Sequence, residues 1–297
     1  QHSDYITRPN SETVIDEEDI ERLINQVHKL VMLPGEEIIH VLPQEYKVDG
    51  QAEIKEPIGM YGGRLEANFH VVVGQVSSIR NIGRCVQSSG LNLDGITLEP
   101  LASANAVLSQ EEKEAGVALI DIGGGTTEIA VIALGGIVCD KSVKIAGDVF
   151  TNDIIYYMRT QHNLYVGERT AEKIKIQIGA ATEDLDLPPE DMSVQGRDLL
   201  TGKPKQVNIS YREIAKALDK SILRIEDAVM ETLSQTPPEL AADIYNTGIY
   251  LAGGGSMLRG LDKRLSQKTD LPVYIAEDPL RAVVRGTGIT LKNLNKF

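Results

Sequence analysis

The sequence predicts an α/β protein in which two glycine-rich loops frame a ligand site, and three observations carry that expectation. Residues Val117 to Cys139 read as a strand, a glycine turn, a second strand, a Gly135-Gly136 turn and a third strand. Residues Gly248 to Gly260 read as a strand, a second glycine loop and the approach to a helix. Around both, segments of helical period alternate with short β-branched runs, the pattern of a sheet covered by helices.

Taken in order, Asp16 to Leu33 begins with Asp16, Glu17, Glu18 and Asp19 and places Ile20, Leu23, Ile24, Val27, Leu30 and Val31 at helical spacing. Pro34-Gly35 ends it. Strands are expected at Glu37 to Leu42 and Phe69 to Gly74, with turn-rich sequence at Gly59 to Gly63 between them. Ser77 to Ser89 is helical in pattern, and Gly95 to Pro100 opens a helix of small residues through Ala102, Ala104, Ala106 and Val107. After the glycine segment, helices are expected at Val149 to Thr160 and Gly167 to Ile178. An acidic loop at Glu183 to Asp191 and a strand pair within Met192 to Ile209 follow. A long helix, Tyr211 to Thr236, stops at Pro237-Pro238. A helix at Leu258 to Thr269, a strand at Val273 to Ala276 and a closing helix from Leu280 complete the chain.

Bulk properties narrow the function. With 297 residues, 42% hydrophobic and 25% charged, the chain can bury one or two sizeable cores. A net charge of −13 and no Lys/Arg run exclude a nucleic-acid binder, because phosphate backbones require a concentrated basic face. A single nucleotide remains compatible, since backbone N–H groups and a metal ion neutralise a few phosphates locally. Cys85 and Cys139 lie far apart, and His2, His28, His40, His70 and His162 are scattered, so neither a zinc site nor a disulfide framework is suggested. The longest apolar stretch, Val117 to Val138, contains Asp121 and Glu128 and reads as no membrane span. A cytoplasmic location is expected. The chain starts at Gln1 in what reads as mid-domain sequence, so a preceding segment is expected to be missing.

The chemistry lies in the loops. After Thr127 the residues are β-branched and strand-like, whereas a dinucleotide fingerprint needs its glycines to open a helix, so that reading fails. Gly123-Gly124-Gly125 lets backbone approach a ligand and frees N–H groups for phosphate oxygens. Asp121, at the strand end, is placed to hold a water of hydrated Mg²⁺, with hydroxyls of Thr126 and Thr127 beside it. The alternative is a tight hairpin without a ligand. Gly253-Gly254-Gly255-Ser256 precedes a helix and is suited to the adenine and ribose side of the same cleft.

The two loops in this order resemble the actin, sugar-kinase and heat-shock-chaperone ATPase superfamily, which implies an actin-like, ribonuclease H-like fold. Two more specific resemblances divide the chain. Residues 1 to about 115 resemble the bacterial cell-division protein FtsA in Ile38-Ile-His-Val-Leu-Pro-Gln-Glu-Tyr46, Pro57-Ile-Gly-Met60, Arg64-Leu-Glu-Ala67 and Leu98-Glu-Pro-Leu-Ala-Ser103. Residues from about 130 onward resemble the cell-shape protein MreB in Val143-Lys-Ile-Ala-Gly-Asp148, Thr170 to Gly179, Val194 to Asp198, Pro237 to Ala241, Leu251 to Gly255 and Ala276 to Leu280. Both families carry Asp-Ile-Gly-Gly-Gly-Thr-Thr, so a hybrid switching between Asp121 and Glu128 is expected.

The resemblance implies site roles. Gly123, Gly124 and Gly125 would contact phosphates, Glu172 and Lys175 would approach ribose and base, and Gly253, Gly254, Gly255 and Ser256 would close the adenosine side. Glu99, with Thr126, would orient the hydrolytic water, and Asp121 would hold Mg²⁺ through water. Elementary physics offers a plain alternative for two of these: Glu99 before Pro100 is a good helix-start acid, and Glu172 with Lys175 is an ordinary i,i+3 pair.

The same resemblance implies an organisation: 1–66 a partner-binding subdomain, 67–115 a remnant of an incomplete first domain, 116–149 with 214–282 the nucleotide domain, 150–213 an inserted subdomain, and 283–297 a helix returning to the first domain. No DxGT-type hairpin precedes Asp121, so ATPase activity is expected to be weak at most. ATP and Mg²⁺ are the expected ligands. The expected partners are further copies in a filament and cell-division or cell-elongation proteins, with peripheral membrane association through them. An FtsA-type division adaptor and a small-molecule kinase are the alternatives; the adaptor's C-terminal amphipathic helix is not found after Leu291.

Overall fold

The protein is described by a computed structural model covering residues 2–54 and 56–292. The chain begins with β1 (His2–Thr7), α1 (Glu17–Val27), β2 (Glu36–Val48), β3 (Gln51–Ile54) and β4 (Arg64–Gln75). These strands form an antiparallel sheet in the order β1-β4-β2-β3. Leu65, Ala67 and Phe69 alternate along β4 toward Leu23 and Val27 of α1, and with Ile6, Ile15, Tyr46, Val48 and Ile54 they make a separate small core.

Both central strands are longer than the sequence suggests. β2 continues six residues past Leu42 because Pro43 sits at a register shift in the ladder, where a missing N–H is tolerated, and beyond it Tyr46 and Val48 resume the buried face. β1 was not legible at all, since His2, Ser3, Asp4 and Thr7 are polar and only Ile6 is buried. Conversely, α1 stops at Val27, and Val31, 97% exposed, has no surface to pack on, so the helical spacing of the last turn goes unused. Arg8 ties the unit together: its guanidinium donates to Asp19 Oδ2 at 2.7 Å, Gly62 O at 2.7 Å and Val14 O at 2.7 Å. The expected boundary at 66/67 falls inside β4, which pairs with β1 and β2 on both sides of that point.

The chain continues through α2 (Val76–Ser88), α3 (Glu99–Val107), α4 (Gln110–Ala115), β5 (Val117–Ile122), β6 (Thr127–Ala133) and β7 (Gly136–Val143). Next come α5 (Gly147–His162), β8 (Leu164–Tyr165), α6 (Glu168–Ile178), β9 (Met192–Asp198), β10 (Pro204–Ile209) and α7 (Tyr211–Ser234). The described chain closes with α8 (Pro238–Thr247), β11 (Ile249–Ala252), α9 (Leu261–Thr269), β12 (Val273–Ile275) and α10 (Ala282–Lys292). The central sheet has the order β12-β11-β5-β6-β7; β11 runs parallel to β5 and β12, and β5-β6-β7 is an antiparallel meander. β5 is buried at every position, which accounts for its uninterrupted apolar reading around Asp121.

β8, β9 and β10 form a small antiparallel sheet. One continuous core joins Ile120, Ile129 and Val131 of the central sheet to Phe150, Ile154, Leu164, Ile174 and Val194, and to Ile214, Leu218 and Ile222 of α7. The first sheet abuts the β7 edge, where Gln44 Nε2 donates to Ile137 O and Val138 O, both at 3.2 Å, and His70 Nε2 faces Asp140 at 3.6 Å.

α10 crosses α3 at a point where no side chain fits. A Cβ at Gly286 would lie 1.6 Å from the Ala102 carbonyl oxygen, so the small residues of α3 permit backbone-level contact with the returning helix. Residues 293–297, the end of the expected closing helix, lie outside the described residues. Gly286→Ala should force the helices apart and lower stability by about 1–3 kcal/mol. Thermal or denaturant unfolding checks this; an unchanged midpoint would contradict the crossing.

Candidate functional site

β5 ends at Ile122, and Gly123 N–H donates to Thr126 O at 3.0 Å, closing the turn into β6. The turn rests on the first turn of α5: Gly147 N–H donates to Gly123 O at 3.2 Å and Asp148 N–H to Gly124 O at 2.8 Å. Gly124 and Gly125 are exposed, and a Cβ on Gly125 would meet nothing within 4 Å. The hairpin therefore offers an open backbone surface held from behind. Thr126 is half-buried there. Thr127 does not join it: as the first residue of β6 its side chain turns inward and donates to Ile145 O at 2.6 Å, fully buried, which corrects the expectation that both hydroxyls face the pocket.

The second glycine loop lies directly on the first. β11 pairs with β5 so that Ala252 is opposite Asp121, and the chain then passes over the strand end. At Gly253, φ is +79° and a Cβ would lie 2.4 Å from both Asp121 Oδ1 and Ile122 O. At Gly255 it would lie 2.2 Å from Ile122 Cγ2. Only glycine allows this approach. Gly253 N–H donates to Pro279 O at 2.9 Å, which fixes the loop from the far side. The loop continues as a 3₁₀ turn, Gly254–Met257, and α9 starts at Leu261, three residues later than expected. Ser256 is fully buried with its hydroxyl on Gly253 O at 2.7 Å, so it braces the loop from within.

Asp121 is 2% exposed. Its Oδ2 accepts a 2.5 Å hydrogen bond from Ser103 Oγ, and its Oδ1 faces Gly253. Burial raises its pKa above the ordinary carboxylate value; the Ser103 bond opposes this and Glu128, opposite Asp121 in the β5–β6 register, adds to it. Glu99, the first residue of α3, directs Oε1 to within 4.0 Å of the place a Cβ would take on Gly123. Glu99 as a whole is exposed, but partial burial of its carboxyl raises its pKa, and the Asp121 and Glu128 charges raise it further.

Lys175 and Glu172 stand beside α5. Lys175 Nζ donates to Gly147 O at 2.9 Å and Thr151 Oγ1 at 3.0 Å and pairs with Glu172 Oε2 at 2.8 Å, while Thr151 Oγ1 donates to Glu172 at 2.7 Å. Burial alone would raise the Glu172 pKa, but these bonds outweigh it and the net shift is downward. The i,i+3 pair is thus present, and the same lysine holds the carbonyl of the residue that clasps the hairpin.

Sequence reasoning missed Ser103, Gly147, Asp148 and Thr151. Gly147 and Asp148 sit in a motif read only for its family likeness, and Ser103 follows Glu99 by four residues, which is one helical turn. Three of the histidines face acidic partners, His162 with Glu213 at 2.9 Å, His70 with Asp140 at 3.6 Å and His2 with Asp4 at 3.9 Å. Among the described residues no group of three or more His, Cys, Asp or Glu could hold a metal ion directly. Among the same residues no helix is long and apolar enough to cross a membrane.

The MreB/Mbl protein family model matches residues 71–297, and that of the SHS2 domain inserted in FtsA matches residues 1–73. The two matches meet at 71–73, not inside 121–128 where the switch was expected. The cell shape-determining protein Mbl of Bacillus subtilis is 41% identical over 199 residues, 67% of this chain and 59% of that protein. MreB of Escherichia coli is 41% identical over 216 residues, 73% of this chain and 62% of that protein. The chain therefore spans about three-fifths of the length of these relatives. The crystal structure of MreB5 of Spiroplasma citri bound to ADP superposes with a TM-score of 0.69 at 37% identity, covering 75% of this chain and 66% of that one, and the AMPPNP-bound structure matches equally well. On the extent of these matches and the actin-like fold they share with it, the chain belongs to the MreB/Mbl family and carries an FtsA-type SHS2 domain at its start.

Proposed function

We propose that this chain is an actin-like cytoskeletal protein that binds a magnesium nucleotide at the junction of its two glycine loops and polymerises in cell-shape determination. The observation that carries the reading is the contact of both loops at the end of β5, which sets the exposed hairpin backbone and the closely packed second loop around one buried carboxylate. The ADP and AMPPNP complexes of the Spiroplasma relative support it.

In this reading the backbone of Gly123, Gly124 and Gly125, with Thr126, receives the phosphates, and Gly253, Gly254, Gly255 and Ser256 shape the adenosine side. Lys175 and Glu172 flank the ribose and base, the lysine also keeping α5 against the hairpin. Asp121 would reach Mg²⁺ only through water, and its lining as folded does not by itself receive the cation: it is 2% exposed, with Oδ2 on Ser103 and Oδ1 against Gly253. Such a cation supplies charge neutralisation at the phosphates. Glu99, exposed with its carboxylate directed toward Gly123 and its pKa raised, is suited to accept a proton from an attacking water. The proposed domains are 116–149 with 214–282 for the nucleotide, 150–213 as an insert, and α10 returning to α3.

The SHS2 match favours a second, compatible role as a partner-binding module in residues 1–73, in the manner of a division adaptor. Filament contacts, cell-division or cell-elongation partners and peripheral membrane association through them belong to the same family reading.

Calorimetric titration with Mg-ATP tests the site: Asp121→Ala should abolish binding, while Glu99→Ala should retain it and lose phosphate release. Equal affinity of Asp121→Ala and the parent would contradict the reading. A second measurement concerns pH. The folded pKa of Glu99 lies above its ordinary value of 4.5, so its favourable contribution is complete below that value and is lost as pH rises through the folded pKa. Glu99→Gln should therefore raise the melting temperature near neutral pH and leave it unchanged below about pH 4.

A further inference from the structure

The buried stripe of α7 is apolar at Ile214, Leu218, Ile222, Ile225 and Val229, each no more than 1% exposed. Glu226 interrupts it and is itself only 3% exposed. A carboxylate in that place is costly unless it is paired. Its partner is Arg264 of α9, whose Nε donates to Glu226 Oε1 at 2.6 Å. The same guanidinium pairs through Nη1 with Asp219 Oδ1 of α7 at 2.8 Å and donates to Ala181 O, in the segment leaving α6, at 2.8 Å. Arg8 makes a comparable set of bonds, but all within the first unit. Arg264 joins three segments that lie far apart in the chain. Apolar side chains of similar volume would stabilise such a site as well or better, so the pair points to alignment rather than to stability.

What it aligns is the seam between α6 and the second glycine loop. Ala181 N–H donates to Arg259 O at 2.8 Å, and Ala180 pairs with Arg259 in a parallel bridge. A Cβ on Gly179 would lie 2.9 Å from Leu258 Cδ1, and one on Gly260 would lie 2.6 Å from Thr182 Cγ2. Leu258 stands just past the loop, its N–H on Gly255 O at 3.1 Å, while Gly179 stands one turn after Lys175, its N–H on Lys175 O at 2.9 Å. The two groups of residues proposed for the adenosine side therefore meet along this seam, and Arg264 closes its end at Ala181.

We infer that Arg264 is a positioning residue for the nucleoside: held by Glu226 and Asp219, it fixes the spacing between Glu172 and Lys175 on α6 and the backbone of Gly253 to Ser256. It thereby sets how tightly the nucleoside is received and leaves the phosphates to the hairpin at Gly123 to Gly125. This rests on the proposed nucleotide site. The hairpin is held separately, by the N–H groups of Gly147 and Asp148, and a shift of the seam reaches it only through the long Lys175 side chain.

The test uses the full chain and two variants. Arg264→Lys keeps a charge beside Glu226, but one ammonium cannot reproduce the planar fork that serves Glu226, Asp219 and Ala181 O together. Arg264→Met combined with Glu226→Leu replaces the buried pair by apolar side chains and leaves no unpaired buried charge, which guards against misfolding. Affinities for ADP and for tripolyphosphate are measured calorimetrically in the same Mg²⁺ buffer, and amide hydrogen exchange across 176–182 is followed without ligand. In both variants ADP affinity should fall about fivefold, tripolyphosphate affinity should hold, and exchange across 176–182 should quicken. Equal loss for the two ligands, or no loss for ADP, would overturn the role of Arg264 and leave the nucleotide site standing. Unchanged exchange would overturn the seam as the route of its effect. A parent chain that binds ADP but not tripolyphosphate would overturn the separation of phosphate and nucleoside sides on which the role depends, and a parent that binds neither would overturn the nucleotide reading itself.

Discussion

The arrangement depends on one constraint, the passage of the Gly253-to-Gly255 loop across the end of β5 at a distance that excludes any Cβ. Parallel pairing brings Ala252 level with Asp121 and delivers the loop onto Asp121 and Ile122. Every other feature of the site answers to that approach. The carboxylate loses solvent on the loop side, the hairpin beyond Ile122 must turn away toward α5, and Ser256 must bond inside its own loop because no water reaches it.

A buried acid in such a place is costly unless its oxygens are satisfied. Ser103 satisfies one and thereby recruits α3, which in turn is held by α10 through the Gly286 crossing. A chain of contacts therefore runs from the last described helix, through α3 and Asp121, to the hairpin and the first turn of α5, where Lys175 secures Gly147. None of these links is apolar packing alone. Each is a backbone-level contact or a directed hydrogen bond.

The first sheet stands apart from this chain of contacts. It has its own core and its own buried anchor, Arg8, and it touches the central sheet through Gln44 and His70 at the β7 edge. Polar contacts between two self-sufficient cores are what an appended module requires, and they agree with separate family matches for the two parts. The joint covers part of an edge strand, which would otherwise present unpaired backbone groups.

The sequence by itself determined the α/β class, the strand-turn-strand at Asp121, the second glycine loop and the long helices, because each rests on local periodicity or on glycine at a turn. It also pointed to Asp121 as a candidate, since an acid at a strand end beside a glycine turn is a local pattern, whereas Glu99 entered through the family resemblance, its place at a helix start being the plain alternative. It could not determine β1, whose polar residues have no periodic signature, or the length of β2, whose ladder survives Pro43 by a bulge, or the end of α1, where apolar spacing finds no surface. Only the tertiary structure decided that Thr127 turns inward, that Gly253 lies on Asp121, and that Ser103 bonds across to it. Those facts depend on contacts between residues far apart in the chain, whose register is set by sheet pairing and helix crossing, and no window of neighbouring residues encodes them.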